Sequence, residues 1–484
     1  MTDVLLYVLG ILIVLIGLAV SIGLHEIGHL IPAKLFGVKV TQYMIGFGKT
    51  LWSRTKGETE YGVKAIPLGG YIAMTGMYPP KQPGDAPRAA TTGFLNSVVE
   101  EAPLPTGRAK PGTDPERIDG IDSAEGAEGV EIRRGLAGLV DDARLASAET
   151  IEAGEDHRAF YRLPAWKRII VMLGGPIMNL VLAFVFFGIV LVGFGVPQPS
   201  TTLGAVNECL RPANSTATEC APGDPEAPAA AAGLRPGDTI VAIDGTPVTD
   251  WEAFRARVAA GPGLTMQLEI LRDGAPQTVS LTPAENERAL VDENGRVRTD
   301  ADGAPLTERV GMVGATPASE YVPQPITELP AFVGENVARV AGIVVQLPQR
   351  MVDTWNAAFG AGERDPNGPM SVVGVGRLAG EIVSLDEAPV AARVQSVLGL
   401  LGSLNIALFV FNLLPLMPLD GGHVLGAIYE AIKRGIAKLR GKPDPGPVDT
   451  AKMVPVTLVM VVVFGAMTVL LVYADLVKPV SLFG

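Results

Sequence analysis

Two histidines and a glutamate lie inside a long apolar stretch near the start of the chain. The stretch covers residues 4–33 and contains His25, Glu26 and His29 in the pattern His-Glu-x-x-His. On an α-helix, His25 and His29 are one turn apart on the same face, a spacing that lets two imidazoles bind one zinc ion. Glu26 stands where a carboxylate deprotonates metal-bound water without ligating the metal. The pattern predicts a hydrolytic zinc site.

The apolar surroundings of this motif favour a functional reading. A charged side chain at the centre of a bilayer costs about 2.5–3.5 kcal/mol on insertion scales, so such groups in a membrane segment mark function by default. The alternative is a chance match on a soluble helix. The composition favours a membrane protein, because 48% of the 484 residues are hydrophobic and the mean hydropathy is +0.31.

Four stretches are long and apolar enough to span a bilayer. They are residues 4–33, 169–196, 397–418 and 454–472. The first is too long for a cleavable signal peptide and has no basic stretch before it. Lysines and arginines lie after the first span, before the second, and between the third and fourth. By the positive-inside rule these segments are cytoplasmic, and both termini and residues 197–395 lie outside the cytoplasm.

This topology predicts a third metal ligand at the depth of the two histidines. The first and third spans both run inward, so His25 and Asp420 arrive near the cytoplasmic face. Asp420 would complete three protein ligands and leave one zinc position for water. His423 is a competing ligand.

The predicted fold class is a polytopic α-helical membrane protein with four transmembrane helices, a membrane-associated β-hairpin region and an extracytoplasmic α/β domain. Residues 1–78 are predicted to contain the first span, the zinc motif and the hairpin, and residues 79–157 to form an acidic, disordered cytoplasmic insert. Residues 158–197 contain the second span, and residues 198–285 form the α/β domain with a small cysteine loop. Residues 286–395 are extracytoplasmic and membrane-surface segments, and residues 396–484 contain the last two spans and the third zinc ligand. Periodicity and composition support these divisions.

Glycines and one asparagine extend the candidate site. Residues 65–77 are apolar, and Gly69 and Gly70 would permit close approach of a substrate strand to this hairpin. In the second span, Gly174 and Gly175 precede Pro176, a sequence typical of close helix packing or a kink. Asn179 in the same span is a predicted substrate-binding residue, with a role near the site if it faces the bundle.

Charge and cysteine content restrict the classes of partner and site. The net charge of −12 argues against a nucleic-acid partner. The chain has only two cysteines, Cys209 and Cys220. This number excludes a cysteine-based metal site and the framework of several disulfides that stabilises small secreted domains. In the oxidising compartment predicted for this segment they would close a small loop as a disulfide, with two buried free thiols as the alternative.

Residues 229–283 resemble a PDZ domain of the bacterial protease type. The predicted elements are a strand at 239–243, a helix at 251–259 and strands at 266–271 and 277–281. The signatures Gly-Leu-x-x-Gly-Asp, ending at Asp238, and Ile-Asp-Gly, ending at Gly245, carry the resemblance. It implies a sheet edge that takes an extended peptide as an added strand.

The whole chain resembles the site-2 proteases, which are intramembrane zinc metalloproteases, and in particular their RseP-like bacterial branch with a PDZ domain. The motifs are His25-Glu26-x-x-His29, residues 67–71, Gly175-Pro176-x-x-Asn179 and residues 412–421. The resemblance implies His25, His29 and Asp420 as Zn²⁺ ligands, Glu26 as the base and Asn412 as a residue that holds the substrate backbone. The single PDZ domain and the long insert depart from some members.

The resemblance implies cleavage of transmembrane segments of single-span membrane proteins, such as anti-sigma factors or remnant signal peptides, in regulated intramembrane proteolysis. The expected location is the bacterial inner membrane, with the site near the cytoplasmic face and peptide contacts through the PDZ domain. A non-catalytic PDZ scaffold and a metal-ion transporter are the alternatives. A scaffold should have lost Glu26 or Asp420, and a transporter should place polar residues at several depths, so both fit less well.

Overall fold

The computed structural model describes residues 2–78, 88–91, 156–210, 220–221, 223–290, 297–298, 306–360, 362, 364–365, 368–386, 388–448 and 453–480. The chain forms two compact units. The first comprises Met1–Val190 and Ile326–Gly484, and the second comprises Leu191–Pro325. The predicted disordered insert at 79–157 lies almost entirely outside the described residues.

The helices of the described residues are α1 (Thr2–Leu35), α2 (Ala165–Gly188), α3 (Pro228–Ala231), α4 (Trp251–Ala259), α5 (Leu329–Val345), α6 (Leu347–Phe359), α7 (Val372–Ser384), α8 (Val390–Asn412), α9 (Asp420–Leu439) and α10 (Val454–Val477). Four are long and apolar enough to cross a membrane. These candidate spans are Val4–Leu35, Ala165–Phe194, Val390–Asn412 and Pro455–Val477. They confirm the four predicted spans, with ends shifted by up to seven residues.

The strands are β1 (Val40–Lys56), β2 (Thr59–Tyr78), β3 (Arg88–Thr91), β4 (Val196–Val206), β5 (Thr239–Ile243), β6 (Thr246–Pro247), β7 (Met266–Arg272), β8 (Ala275–Leu281), β9 (Ala284–Ala289), β10 (Thr307–Met312) and β11 (Ala315–Val322). In the first unit β1, β2 and β3 form one sheet in that order. In the second unit, the main sheet has the order β11-β4-β5-β7-β8, with β6 paired to β5.

The β1–β2 hairpin packs against the start of the chain. The sequence predicts short strands here, but β1 and β2 are long, and bulges bend them so that residues 42–45 pair with both 60–63 and 70–73. Ile72 and Met74 are fully buried in the core that the hairpin shares with α1 and α2. The Tyr43 hydroxyl donates a 2.8 Å hydrogen bond to the carbonyl of Gly23. This bond fixes the sheet to α1 two residues before His25.

The second unit confirms the strand predicted at 239–243 and the helix predicted at 251–259. Helix α4 begins where Asp250 accepts a 2.8 Å hydrogen bond from the amide of Ala253, an N-cap that explains its start. The unit extends past the predicted boundary at 285, because β11 returns to pair with β4. Cys209 and Cys220 form a disulfide, which excludes the free-thiol alternative.

Two helices of the first unit are absent from the sequence predictions. Residues 286–395, predicted as extracytoplasmic and membrane-surface segments, contain the helices α5 and α6. Helix α7, by contrast, lies where no helix is predicted from the sequence. Helix α9 begins at Asp420, directly after a segment with two prolines, Pro415 and Pro418, that interrupts the helix, and Gly421 and Gly422 belong to its first turn.

Asp238 of the Gly-Leu-x-x-Gly-Asp signature closes a buried ion pair in the second unit. It is 1% exposed and accepts hydrogen bonds of 2.6 and 2.7 Å from the Arg272 guanidinium. It also accepts a 2.8 Å bond from the amide of Arg235. The hydrogen bonds from Arg272 are the main reason that the pKa of Asp238 lies below its ordinary value.

We expect Asp238→Asn to destabilise the second unit, because the amide cannot replace the charged hydrogen bonds that the carboxylate accepts from Arg272. In the intact protein this stabilisation is fully present above the unfolded-state pKa of about 3.8 and is lost as the pH falls through the lower folded-state pKa. Hydrogen exchange of the amides of β5 and β7 in the full-length protein measures both effects. Unchanged protection in the variant would contradict the prediction. Asp273→Asn, at the neighbouring turn, is the control.

Candidate active site

Helix α1 presents three ionisable side chains to the interior of the first unit. His25 and His29 lie one turn apart, as the motif predicts, and their rings meet edge to face with centroids 4.8 Å apart. His29 is completely buried, and His25 and Glu26 are 8% and 5% exposed. All three residues lie within the continuous helix α1, so the two histidines, four residues apart in the sequence, lie about one turn apart on the same face.

Asp420 reaches the two histidines from a distant part of the chain. Helix α8 ends at Asn412, and the following segment of prolines turns the chain until α9 begins at Asp420. Asp420 is 5% exposed, and among the described residues it forms with His25 and His29 the one group of ligand side chains close enough to hold a metal ion. The competing candidate, His423, instead lines a small cavity beside Arg168 and Glu430.

The ligand atoms of these three residues form a nearly equilateral triangle. Nε2 of His25 and Nε2 of His29 are 3.2 Å apart, and Oδ2 of Asp420 lies 3.3 Å from each of them. Zinc bonds of about 2.0–2.1 Å in tetrahedral geometry put two ligands about 3.3–3.4 Å apart. Oδ2 of Asp420 is buried and accepts no hydrogen bond from the described residues. A zinc ion would fit the triangle and compensate this carboxylate.

Contacts at Nδ1, the nitrogen that faces away from the triangle, orient both imidazoles. Nδ1 of His29 lies 2.8 Å from the carbonyl oxygen of Val171 on α2, so this nitrogen carries the proton and Nε2 presents its lone pair to the site. The side-chain amide of Asn179 lies 3.0 Å from Nδ1 of His25. With the amide oxygen turned toward His25, that oxygen, which is otherwise unsatisfied, would accept the Nδ1 proton. Asn179 therefore faces the bundle and contacts a candidate ligand, and its predicted contact with substrate stays a prediction.

Glycines let α1 and α2 cross closely at the site. A Cβ on Gly28 would fall 2.7 Å from the carbonyl carbon of Gly174, and a Cβ on Gly174 would fall 2.8 Å from that of Gly28. A Cβ on Gly175 would fall 2.7 Å from both Cε1 and Nε2 of His25, and closer still to Nε2 of His29. The two glycines of the Gly-Gly-Pro sequence thus allow close helix packing, one of the two roles that such a sequence predicts, and they pack against α1 at Gly28 and the two imidazoles.

We expect Gly175→Ala to lower the affinity for zinc by at least about tenfold, because the added methyl group displaces both imidazoles from their present positions. Competition with a chromophoric chelator on the purified full-length protein measures the affinity. Gly399→Ala on α8 is a matched control, since a Cβ there would meet nothing within 4 Å. An unchanged zinc affinity in Gly175→Ala would contradict the prediction.

The two hairpin glycines differ in their surroundings. A Cβ on Gly70 would fall 3.0 Å from Cγ of Glu26, so β2 passes directly beside the candidate base. Gly69 has a φ of 149°, and a Cβ there would fall 2.6 Å from Cζ of Phe47. Its lack of a side chain is therefore explained by the Phe47 ring, whereas Gly70 borders the site as predicted.

The remaining predicted residue, Asn412, is the last residue of α8 and is partly exposed. Sequence reasoning missed Asn405, one of the polar side chains inside the third span. Asn405 is fully buried and donates a 3.0 Å hydrogen bond to the Ser21 hydroxyl, which joins α8 to α1 one turn before His25. A polar residue inside an apolar span is the signal that could have identified it.

Comparison with known proteins identifies the family of the chain. The chain matches the family described as peptidase family M50 over residues 13–443. It is 30% identical over 483 residues to the zinc metalloprotease Rip1 of Mycobacterium tuberculosis (99% of this chain, 100% of the relative), and 32% identical over 495 residues to Rip1 of Mycolicibacterium smegmatis (98% and 99%). It is 25% identical over 434 residues to the regulator of sigma-W protease RasP of Bacillus subtilis (87% of each). The chain belongs to peptidase family M50, the site-2 proteases, and is an intramembrane zinc metalloprotease.

Proposed function

We propose that His25, His29 and Asp420 hold the zinc ion of this protease and that Glu26 is its catalytic base. The observation that carries the proposal is the triangle of ligand atoms with edges of 3.2–3.3 Å, which suits one tetrahedral ion. Three protein ligands leave a fourth position for water or substrate. Glu26 follows His25 on the same buried turn and is close enough in the chain to serve that position.

When bound, zinc polarises the scissile carbonyl and lowers the pKa of water to about 7. The Glu26 carboxylate takes the proton from the attacking water and then gives it to the leaving nitrogen, so one group serves as base and acid in turn. Val171 and Asn179 act as positioning groups, since they contact only the outer nitrogens of the imidazoles. Burial of Glu26 strengthens its electrostatic interactions with the reacting atoms.

A transmembrane substrate must unwind before attack, because a helix hides its carbonyls in its own hydrogen bonds. We assign the receiving edge to β2, where Gly70 passes beside Glu26. The register of β3 on β2 begins at Ala73, so a substrate strand could continue the line of β3 toward Gly70. Asn412, at the end of α8, would hold the substrate backbone with its amide group, and Gly69 would keep the hairpin bent by admitting the Phe47 ring.

The proposed substrates are single-span membrane proteins. One relative carries the name regulator of sigma-W protease, which supports an anti-sigma factor as one substrate class, with remnant signal peptides as another. The positive-inside rule supports a location in the bacterial inner membrane with both termini and the second unit outside the cytoplasm. In that arrangement His25 and Asp420 lie near the cytoplasmic face.

The test uses the full-length protein in vesicles with a single-span substrate whose outer domain has been trimmed. Mass spectrometry of the fragments should place the cleaved bond inside the apolar span, and a zinc chelator should stop the reaction. Cleavage in the soluble flank of the substrate would contradict intramembrane proteolysis.

The second unit is proposed to act as a PDZ filter that admits only trimmed substrates. Its strand and helix order around Gly233–Asp238 supports the PDZ assignment. We expect replacement of residues 198–320 by a flexible linker to raise cleavage of the intact substrate several-fold and to leave cleavage of the trimmed substrate nearly unchanged. Equal cleavage of the intact substrate by both proteins would contradict the filter. The disulfide-bonded full-length protein is the reference.

A further inference from the structure

Helix α9 carries its apolar side chains on the outside. Six large apolar residues are 40–89% exposed and follow one another at intervals of three, four or one residues. They are Leu425, Ile428, Tyr429, Ile432, Ile436 and Leu439. At 3.6 residues per turn they cover one face about 100° wide along most of the helix. This is the outer apolar face of α9.

The opposite face of α9 is the one that packs on the protein, and it is polar. Glu430 is 1% exposed and pairs at 2.6 Å with Arg168, which lies near the start of α2. Arg434 pairs with Glu430 at 3.2 Å, and Ala427, one turn before Glu430, is buried. The helix is therefore inverted relative to a surface helix of a soluble protein, so its outer apolar face needs an apolar surrounding.

The exposed charges of this helix and its C-terminal extension are predominantly basic. Both acidic residues of α9, Asp420 and Glu430, are buried. The exposed charged residues are Lys433, Lys438, Arg440 and Lys442, and Asp444 is already paired with Arg434. An apolar face with flanking lysines and arginines is the pattern of helices that bind anionic membrane surfaces.

The position of α9 between two candidate membrane spans places it next to a bilayer. It begins eight residues after the third candidate span ends at Asn412 and ends 16 residues before the fourth begins at Pro455. Both ends are thus tethered close to a bilayer. We propose that α9 lies in the interface of an anionic leaflet, with its outer apolar face among the acyl chains and Lys433, Lys438, Arg440 and Lys442 at the lipid phosphates.

The test measures the depth of spin labels in the full-length protein. The two native cysteines are bonded to each other, so Ile432→Cys and Lys438→Cys each give one reactive thiol. In vesicles with about 30% phosphatidylglycerol in phosphatidylcholine, the label at 432 should collide mainly with oxygen and the label at 438 mainly with a water-soluble nickel chelate. Equal exposure of both labels to the chelate would overturn the proposal.

A second arm tests the lipid charge. The ratio of buried to exposed label at 432 should be at least about fivefold higher in anionic than in purely zwitterionic vesicles. A single basic residue near an anionic surface already strengthens membrane binding by about that factor. The combined substitutions Lys433→Gln, Lys438→Gln, Arg440→Gln and Lys442→Gln should remove the difference. The control, Arg255→Gln with Arg257→Gln in the second unit, should leave it unchanged. Equal ratios in both vesicles would overturn the anionic preference.

Two other occupants of the outer apolar face would also overturn the proposal. If a second copy of the chain covers it, labels at 432 will couple to each other at distances that double electron–electron resonance detects. If residues 92–155 of the same chain cover it, the label will be shielded equally in detergent and in vesicles, and deletion of that segment will expose it. Neither readout depends on proteolysis, so failure here is separate from failure of the proposed site.

Discussion

Replacing Glu26 with Gln should abolish proteolysis and leave about one zinc ion per chain. The amide matches the carboxylate in size but cannot take the proton from water, so the rate should fall by about 10²–10⁴-fold. The three ligand atoms belong to His25, His29 and Asp420, and none of them is changed. The measurement is cleavage of a trimmed single-span substrate, together with metal analysis of the same purified sample.

The matched control is Glu335→Gln on α5, an exposed glutamate that should leave both values unchanged. Loss of zinc in Glu26→Gln would show that Glu26 is a ligand and would contradict its assignment as the base. Retained proteolysis would remove Glu26 from the mechanism altogether.

Replacing Asp420 with Asn should remove zinc and activity together. Asp420 supplies one corner of the ligand triangle, 3.3 Å from each imidazole nitrogen, and its charge compensates the metal. Loss of a residue that only hydrogen-bonds to a metal ligand typically lowers metal affinity by about 10–100-fold. Loss of a charged ligand itself should therefore lower the zinc affinity by more than about 100-fold. Chelator competition on the full-length protein measures the affinity, and far-ultraviolet circular dichroism reports whether the helices are intact.

His423→Gln is the informative comparison, because His423 lies one turn further along α9 and was the rival ligand. It should keep zinc, since His423 lines the cavity beside Arg168 and Glu430 and is not among the three side chains whose ligand atoms lie together. If His423→Gln loses zinc while Asp420→Asn keeps it, the ligand assignment is reversed.

The parts of the site that follow from local spacing could be predicted from the sequence. His25 and His29 share a face because they are four residues apart on a helix, and this needs no tertiary information. Asp420 required one more step, the direction in which each span crosses the membrane. Helix α4 could be delimited because its N-cap, Asp250, is a local signal.

The parts that depend on contacts between distant segments could not be predicted. β4 and β11 pair across more than one hundred residues, and nothing in the composition of either strand specifies the other. Arg168, one of the basic residues at the start of the second span, is buried against Glu430, which lies 262 residues further along the chain. For the same reason the sequence could not reveal that Gly69 makes room for Phe47 or that Asn179 contacts His25.

The separation of the ligands along the chain has a consequence for biosynthesis. His25 and His29 leave the ribosome early, and Asp420 leaves it last among the three. At about 5–20 residues per second, the roughly 390 residues between His29 and Asp420 take about 20–80 s to synthesise. During that interval the nascent chain holds only two of the three side chains of the triangle. With the proposed ligand set, a ribosome-bound intermediate lacks one zinc ligand, and we expect proteolysis to begin only after the third span has been inserted and α9 has folded.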